Sequence, residues 1–333
     1  YNHKILEQRF GIQCETDSDC EIILHLYRKI KDPIKFTEVL DGVFAFILYD
    51  LEQQKLIISR DRYGIRPLYW GISSNKSIVF SSTLSGTTVS DFSVRQFPPN
   101  TTCIIKNGNP KFYERAKYHK ITMKGMLDEQ FILEQLHFFL RKAVQKRLMS
   151  ERKICCLLSG GLDSSLITSI VCSLRGAENI ETFSIGMEGG TDTKYAEQVA
   201  RFLGTKHTSV TYTKQQFLES IREVIGHIET YDTTTVRASV GNYLISKYIS
   251  EHTDNIVVFN GDGSDELFGG YMYFHNAPNP GEYKKEIHRL LDNIHFYDVQ
   301  RSDRSISSVG LEPRTPFLDH DLTSFWLSLE PEL

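Results

Sequence analysis

The chain has 333 residues, of which 40% are hydrophobic and 24% charged, and its formal net charge is −4. This length suits two domains, and the composition is that of a globular protein with a buried core, which excludes disorder, collagen-like repeats and a coiled coil. The slightly acidic balance gives no global basic field, so neither nucleic acid nor an anionic membrane is an expected partner. No apolar run reaches the roughly 18 residues of a membrane-spanning helix.

A capped helix is the first element that the sequence predicts, at residues 18–28. Ser18 would be its N-cap and Glu21 the acid of a capping box, with Ile22 and Leu26 on its apolar face. Gly64 and Pro67 then mark a turn. Apolar runs predict strands before and after that turn, at residues 43–50, 55–60 and 77–80. The first two of these strands would form a hairpin. The polar stretch 107–124 is predicted to be the crossing between two domains.

From residue 127 onward, strands and helices alternate. This alternation predicts a parallel sheet with helices on both faces, an α/β fold. The predicted helices are 130–147, one that starts at Ser165, and 194–202, and the predicted strands are 154–158, 181–185, 207–210 and 256–259.

The cysteines show neither a C-x-x-C pair nor a regular spacing. Such scattered thiols are typical of a reducing compartment, so we expect a cytoplasmic protein without a cysteine metal centre. They are Cys14, Cys20, Cys103, Cys155, Cys156 and Cys172.

A glycine-rich turn at residues 159–165 carries the strongest chemical signal. It reads Ser-Gly-Gly-Leu-Asp-Ser-Ser and lies between a buried strand and a helix. Glycines let backbone N–H groups converge on an anion, and a helix N-terminus adds partial positive charge. Asp163 would repel a bare phosphate, so its expected role is to hold a divalent cation that bridges to phosphates. The γ-phosphate loop pattern Gly-x-x-x-x-Gly-Lys-Ser/Thr is not present in this turn.

A second turn of glycines and acids, residues 260–271, follows the last predicted strand. Parallel strands bring their carboxyl ends to one edge, so both turns should face the same crevice. Asp262, Asp265 and Glu266 near Asp163 would repel one another unless a metal or a cationic group lies between them. The alternative is a solvated acidic loop.

The segment 229–239 contains Arg237 among several hydroxyl residues. Arg237 could pair with a carboxylate or a pyrophosphate through two parallel hydrogen bonds. Taken alone, the threonine run favours a surface helix cap instead.

Together these segments resemble a known family. Residues 159–164 resemble the pyrophosphate loop of ATP pyrophosphatases, which cleave ATP to AMP and pyrophosphate. With segments 229–239, 261–271 and 314–319, the resemblance narrows to the glutamine-hydrolysing asparagine synthetases. Segments 16–21, 40–46 and 60–68 are similar to the glutaminase domain of that family, so the resemblance covers essentially the whole chain.

The resemblance implies a fold for each part. Residues 1–118 would form an incomplete glutaminase domain, an αββα sandwich. Residues 119–333 would form an incomplete α/β synthetase domain with a parallel sheet of the ATP-pyrophosphatase type. The family's N-terminal cysteine nucleophile, its Asn-Gly-Glu oxyanion segment and a C-terminal lysine are not matched, so we expect a partial chain.

The implied activity is that of a ligase that forms C–N bonds. Glutamine is hydrolysed in one domain, and its ammonia passes to the other. There ATP and Mg²⁺ convert aspartate to β-aspartyl-AMP, which ammonia attacks to give asparagine and AMP. The implied partners are these small molecules, and a homodimer is compatible with the family. A β-lactam-type synthetase and a catalytically silent nucleotide-binding homologue are the alternatives.

The resemblance also assigns residues. Asp163 and Asp265 would hold Mg²⁺, Asp262 and Arg237 would be catalytic, and Asp19 would bind the ammonium group of glutamine. The residues implied to bind ATP are Leu157, Ser159, Gly160, Gly161, Asp163, Ser164, Ile185, Asn260 and Gly261. Two positions depart from the family: Asp262 replaces the usual glutamate, which withdraws the carboxylate by about one methylene, and Asn260 replaces a serine.

Overall fold

The computed structural model describes residues 1–87, 92–116, 118 and 128–330. The chain divides into two compact units, Tyr1–Lys117 and Tyr118–Leu333. The domain limits given above, 1–118 and 119–333, stay a prediction. In the described ranges, every helix is too short or too polar to cross a lipid bilayer.

The first unit contains two antiparallel sheets and three helices in its described residues. One sheet has the strand order β1-β2-β6-β7 and the other β4-β3-β5. The helices are α1 (His3–Phe10), α2 (Glu21–Ile30) and α3 (Pro33–Glu38). The strands are β1 (Ala45–Asp50), β2 (Lys55–Arg60), β3 (Tyr69–Ser73), β4 (Ile78–Ser81), β5 (Phe92–Gln96), β6 (Thr101–Lys106) and β7 (Asn109–Glu114).

Neighbouring residues of β2 bury opposite faces of the larger sheet. Ile57 packs against the helices with Leu6, Leu26 and Phe36. Ile58 packs on the other side with Trp70 of the second sheet, with Leu68 and Phe97 next to the ends of its strands, and with Cys103 of the neighbouring strand β6. Because side chains alternate along a strand, both faces of the sheet are buried. The result is a helix–sheet–sheet arrangement, as expected for an incomplete αββα sandwich.

Two predictions for this unit need correction. Ser18 does not cap α2, which begins at Glu21 and has no side-chain cap. Glu21 instead accepts hydrogen bonds from the backbone nitrogens of Glu15 (2.7 Å) and Thr16 (2.8 Å), and so holds the preceding loop. The stretch 107–124 is not wholly a crossing, because β7 pairs with β6. Its polar side chains suit an exposed edge strand; residues 117 and 119–124 lie outside the described residues.

The second unit is an α/β layer structure around a five-stranded parallel sheet of order β10-β9-β8-β11-β12. Its strands are β8 (Lys153–Leu157), β9 (Glu181–Met187), β10 (Lys206–Tyr212), β11 (Asn255–Phe259) and β12 (Glu312–Arg314). Its helices are α4 (Glu129–Arg147), α5 (Leu162–Arg175), α6 (Asp192–Leu203), α7 (Lys214–Ile228), α8 (Thr233–His252), α9 (Ser264–Phe268), α10 (Pro280–Asn293), α11 (Asp298–Ser307) and α12 (His320–Ser328).

The order of the strands reverses beside β8. After β8 the chain adds β9 and β10 on one side, and then β11 and β12 on the other. In open parallel sheets, ligands bind at the carboxyl ends of the strands where the order reverses. Cys156 of β8 pairs with Phe259 of β11, so these two strands end almost level. Ile256 is an extra residue in β11, because Asn255 pairs with Lys153 and Val257 already with Ile154.

All four strands predicted for this unit are present, and the three predicted helices begin one to three residues earlier than predicted. Helix α5 begins at Leu162 rather than at Ser165. The reason is that Gly161 serves as the N-cap and its carbonyl already accepts a hydrogen bond from the backbone nitrogen of Ser165 (3.1 Å). Asp163 and Ser164 therefore belong to the first helical turn. The threonine run of segment 229–239 does begin a helix, α8, and Asp232 caps it.

Candidate functional site

The first glycine turn, between β8 and α5, has the compact form that an anion cradle requires. Gly160 has φ +82°, and a methyl group added to it would lie 2.5 Å from the carbonyl carbon of Tyr195. The Oγ atoms of Ser159 and Ser164 are 2.9 Å apart, and the nitrogen of Ser159 donates to Ser164 Oγ (3.2 Å). The turn thus places two hydroxyl groups beside the N-terminus of a 14-residue helix, where the helix dipole favours an anion.

The second glycine turn, after β11, touches the first. A methyl group added to Gly261 would lie 3.0 Å from both Asp163 Cβ and the nitrogen of Ser164. Gly263 has φ +92°, which favours glycine, and starts α9. Ser264 Oγ donates to Asp163 Oδ1 at 2.7 Å. The two strand ends therefore meet in one place, as the sequence predicts.

Two cavities open at this place. One, of about 420 Å³, is mainly apolar and is lined by Leu157, Leu158, Ser159, Gly160, Gly161, Phe183, Ser184, Ile185, Tyr195, Asn242 and Ile245. The other, of about 310 Å³, is mainly polar and is lined by Leu157, Ser159, Gly161, Asp163, Ser164, Asn242, Asn260, Gly261, Asp262, Gly263, Ser264, Asp265, Glu266, Tyr271, Asp298 and Arg301. Four residues are common to both linings, so the cavities adjoin at the first glycine turn.

Carboxylates crowd the polar cavity. Burial raises the pKa of Asp265, and the negative charges of Asp163 and Asp298 raise it further. Burial also raises the pKa of Glu266, and the charge of Asp298 adds to this, although Glu266 accepts a hydrogen bond from the hydroxyl of Tyr271. A cation placed among these carboxylates would favour their charged forms and so oppose both effects.

One cation is already supplied by the chain. Arg301 Nη2 donates to Asp262 Oδ1 (3.1 Å) and to Asp298 Oδ1 (3.0 Å). Burial lowers the pKa of Arg301, but the charges of Asp262 and Asp298 outweigh burial and raise it overall. Sequence reasoning missed this arginine. The only local signal is the spacing of Asp298 and Arg301, which places them on one helical face.

Most of the residues singled out from the sequence are brought together here. All nine residues expected to bind ATP line one or both cavities, and so do Asp262 and Asp265. Arg237 does not line either cavity and lies exposed on α8. Asp19 lies exposed in the first unit, just before α2. The lining residues that sequence reasoning did not assign include Tyr195, Asn242, Tyr271 and Asp298.

The first unit holds a group of three side chains with ligand atoms within 4.8 Å of one another, Cys14, Glu21 and His25. The carboxylate of Glu21 is already engaged, because its two oxygens accept the backbone N–H groups of Glu15 and Thr16. His25 Nε2 lies 3.0 Å from Glu21 Oε1. These contacts show that the group holds the loop before α2 in place.

Comparisons with known proteins match both units. A family model described as asparagine synthase matches residues 135–284 and 277–333, and one described as a glutamine amidotransferase domain matches residues 1–88. The chain is 42% identical to the asparagine synthetase (glutamine-hydrolyzing) of Rattus norvegicus and 41% identical to that of Homo sapiens. Each of these matches covers 100% of this chain but 64% of the relative, so the chain spans somewhat less than two thirds of their length.

Proposed function

Because the chain belongs to the asparagine synthase family, we propose that its protein makes asparagine from aspartate, with energy from ATP and ammonia from glutamine. One observation carries the proposal: two strand ends meet at the point where the strand order reverses, and the residues expected to bind ATP line the cavities there. The limits 1–118 for the glutaminase part and 119–333 for the synthetase part belong to this proposal. So do a cytoplasmic location, a homodimer and the absence of a nucleic-acid partner, which rest on composition and resemblance.

The two cavities suit the two halves of ATP. The apolar cavity, with Leu157 and Ile185 in its lining, would take the adenosine part. The phosphates would lie at the first glycine turn, where the backbone and the hydroxyl groups of Ser159 and Ser164 donate hydrogen bonds beside the N-terminus of α5. Asn260 and Gly261 would close the site from the neighbouring strand.

Asp163 and Asp265 fit a magnesium ion. Both offer carboxylate oxygens, the ligands that Mg²⁺ prefers, in a cavity where the charge of Asp163 contributes to the raised pKa of Asp265. When bound, the ion would supply positive charge that neutralises the phosphates. Ser264 holds the carboxylate of Asp163 in place, because its hydroxyl donates to Asp163 Oδ1.

The reaction would proceed in two displacements. A side-chain oxygen of aspartate attacks the α-phosphorus of ATP and forms β-aspartyl-AMP, while the bond to pyrophosphate breaks. Ammonia then attacks the β-carbonyl carbon, AMP leaves with the electrons of the C–O bond, and a proton is lost from nitrogen. Asp262 would accept that proton, since its carboxylate lines the polar cavity. Asp19 would hold the ammonium group of glutamine. The role of Arg237, pairing with a carboxylate or with pyrophosphate, is proposed from its residue type and the resemblance alone, since it lines neither cavity.

The full-length protein provides the test. We expect exchange of labelled pyrophosphate into ATP only when aspartate is present, and asparagine, AMP and pyrophosphate as products when ammonia or glutamine is added. Release of ADP, or exchange that is indifferent to aspartate, would contradict the proposal. Ammonia dependence separates it from a β-lactam-type synthetase, which closes a ring without ammonia.

A further inference from the structure

Helix α11 (Asp298–Ser307) lies behind the second glycine turn and contacts it at two points. Arg301 Nη2 donates to Asp262 Oδ1 at 3.1 Å. Asn260 Nδ2 donates to Ser302 Oγ at 2.8 Å, and both residues are almost fully buried. Two successive residues of one helix thus hold two residues of the turn. A hydrogen bond shielded from water is costly to leave unmade, so these contacts fix the turn against the helix.

The side chain of Asn260 also fixes the backbone of the turn. Its Oδ1 accepts the backbone N–H of Asp262 at 3.3 Å, while its Nδ2 is held by Ser302. The backbone nitrogen of Asn260 donates to the carbonyl of Arg314 in β12 (3.2 Å). The base of the Asp262 side chain is therefore tied to α11 and to β12. In the family, by the resemblance noted above, a serine stands at this position, and its shorter side chain offers no amide to bridge in this way.

The two oxygens of the Asp262 carboxylate have different surroundings. Oδ1 is held by Arg301, whereas Oδ2 is buried and has no hydrogen-bond partner among the described residues. A buried carboxylate oxygen without a partner is costly, so Oδ2 calls for an explanation. Because Arg301 already occupies Oδ1, we take Oδ2 as the oxygen that would accept a proton from a substrate.

The same helix contacts a third segment of the unit. Arg304 Nη2 lies 3.0 Å from Glu229 Oε2, and both side chains are buried. Gln300 Nε2 donates to the carbonyl of Ile228 at 2.8 Å. Because segment 229–239 begins at this point, α11 anchors its start as well as the Asp262 turn. The helix itself is fixed to the core by Ile306, which packs with Cys155, Val258 and their neighbours.

We propose that α11 is the positioning element of the synthetase site, with Arg301 as its principal residue. Arg301 holds Oδ1 of Asp262, which leaves Oδ2 without a partner among the described residues, and Ser302 holds the turn through Asn260. This inference rests on the proposed function, because it assigns Asp262 the acceptance of the proton from ammonia.

The test is a double-mutant cycle in the full-length enzyme. Arg301→Met should lower kcat for ammonia-dependent asparagine formation about 100-fold, because a small misplacement of a catalytic group costs this much. The KM for ATP should change much less than kcat, since Arg301 donates to Asp262 and Asp298 in the polar cavity and not to the first glycine turn, where the phosphates are proposed to lie. Arg301→Lys should recover part of the activity because it keeps a positive charge near Asp262. In an Asp262→Asn background, Arg301→Met should cost less than about 3-fold more, because the group it positions is gone.

Controls separate positioning from a loss of structure. Arg289→Met removes a guanidinium that pairs with Glu286 on the exposed face of α10, and it should leave kcat unchanged. Thermal unfolding checks that each variant folds, and Arg301→Lys and Arg301→Gln replace Arg301→Met if the latter does not. Multiplicative losses in the cycle, or an unchanged kcat in Arg301→Met, would overturn the positioning role in an enzyme that is otherwise active. A wild-type enzyme without aspartate-dependent pyrophosphate exchange would instead refute the proposed function, and this inference with it.

Discussion

Gly160 is the residue of the first glycine turn at which a side chain would disturb the structure most. A side chain there would require φ +82° and would place Cβ 2.5 Å from the backbone of Tyr195. Left-handed strain alone costs about 1–3 kcal/mol for other residues. The added Cβ would also clash with the backbone of Tyr195 in the first turn of α6, and this backbone cannot rotate away as the end of a side chain could.

We therefore expect Gly160→Ala to lower the free energy of unfolding by about 3 kcal/mol or more and to abolish detectable ATP binding. Gly204→Ala is the matched control, because Gly204 has φ +80° but nothing within 4 Å of its Cβ position. It should cost only about 1 kcal/mol. Urea unfolding and nucleotide titration measure both. Equal effects of the two substitutions would show that the clash with Tyr195 is not important.

Asp163 is expected to act through charge rather than through the fold. Asp163→Asn keeps an oxygen that can accept the hydrogen bond from Ser264 but removes the negative charge that would bind Mg²⁺. We expect aspartate-dependent pyrophosphate exchange to fall at least about 100-fold, because metal stabilisation of phosphate charge is worth several kcal/mol.

The thermal unfolding of Asp163→Asn should match that of the wild type. Ser264→Ala provides the comparison, since it removes the hydrogen bond and keeps the charge, and it should reduce exchange much less. Full activity of Asp163→Asn would overturn its assigned role.

At the scale of single residues, the sequence predicted those whose chemistry is local. Ser159, Gly160 and Asp163 could be assigned because they lie within one short turn. Arg301 could not, because its partner Asp262 is 39 residues away and their contact exists only after the fold forms. Arg237 is the opposite case. Its residue type suggested a role in binding a carboxylate or pyrophosphate, but its exposed position on α8 does not by itself support that role.

At the scale of elements, a buried charge cluster joins α4 to α12. Asp319 caps α12, and its side chain is completely buried against Lys146 (3.0 Å) and Arg147 (2.8 Å) at the end of α4. Burial raises the pKa of Asp319, but the charges of Arg147 and Lys146 outweigh it and bring the pKa below its ordinary value. The folded state therefore favours the charged form of this carboxyl group.

We expect Asp319→Asn to cost about 3–5 kcal/mol at pH 7, because it removes the buried negative charge that faces Lys146 and Arg147. The contribution of Asp319 to stability is fully present above its unfolded pKa, about 3.9, and is lost as the pH falls towards the lower folded value. The difference between wild type and variant should therefore shrink below about pH 4. Urea unfolding at several pH values tests this, and a difference that does not depend on pH would contradict it.

Asp254→Asn is the control for this cluster. Asp254 also pairs with a lysine, Lys153, but its side chain is 86% exposed. Such surface pairs contribute little, so the variant should unfold like the wild type.

Periodicity predicted the elements whose residues repeat regularly, and it failed for others. The helix at 130–147 and the four strands of the second unit were predicted within a few residues. Helix α11 was not predicted, because most of its buried residues are polar, including Ser302, Asp303 and Arg304. A helix that buries polar side chains against other polar groups shows no apolar stripe.

At the scale of the whole molecule, the cysteines report on both units. All six are free thiols in the described structure. Cys20 is exposed, whereas Cys103 in the first unit and Cys155 and Cys156 in the second are completely buried. Burial raises the pKa of Cys103 to about 12 and that of Cys155 well above its ordinary value.

We expect iodoacetamide to modify Cys20 of the native protein while Cys103, Cys155 and Cys156 react at least about 100-fold more slowly, because their reaction requires prior opening. Mass spectrometry after labelling in increasing urea should then follow the opening of the first unit at Cys103 and of the second at Cys155. Fast labelling of Cys155 without urea would contradict the buried position of β8.

The overall fold class followed from the alternation of strands and helices, but the order of the strands did not. Pairing between β8 and β11 joins segments about one hundred residues apart, and no local pattern specifies it. The expectation that both glycine turns face one crevice needed only that both strands be parallel members of one sheet, and so it was correct without the order being known.

The extra residue in β11 lets that strand keep its pairing with β8 although it is one residue longer. Ile256 lies between the pairs Asn255–Lys153 and Val257–Ile154, and beyond it the pairing is regular up to Phe259 opposite Cys156. A bulge of this kind bends a strand and increases its local twist. An insertion or deletion at this point would therefore change the direction in which β11 approaches the crevice, whereas the level at which Gly261 meets Ser164 follows from the regular pairs beyond the bulge.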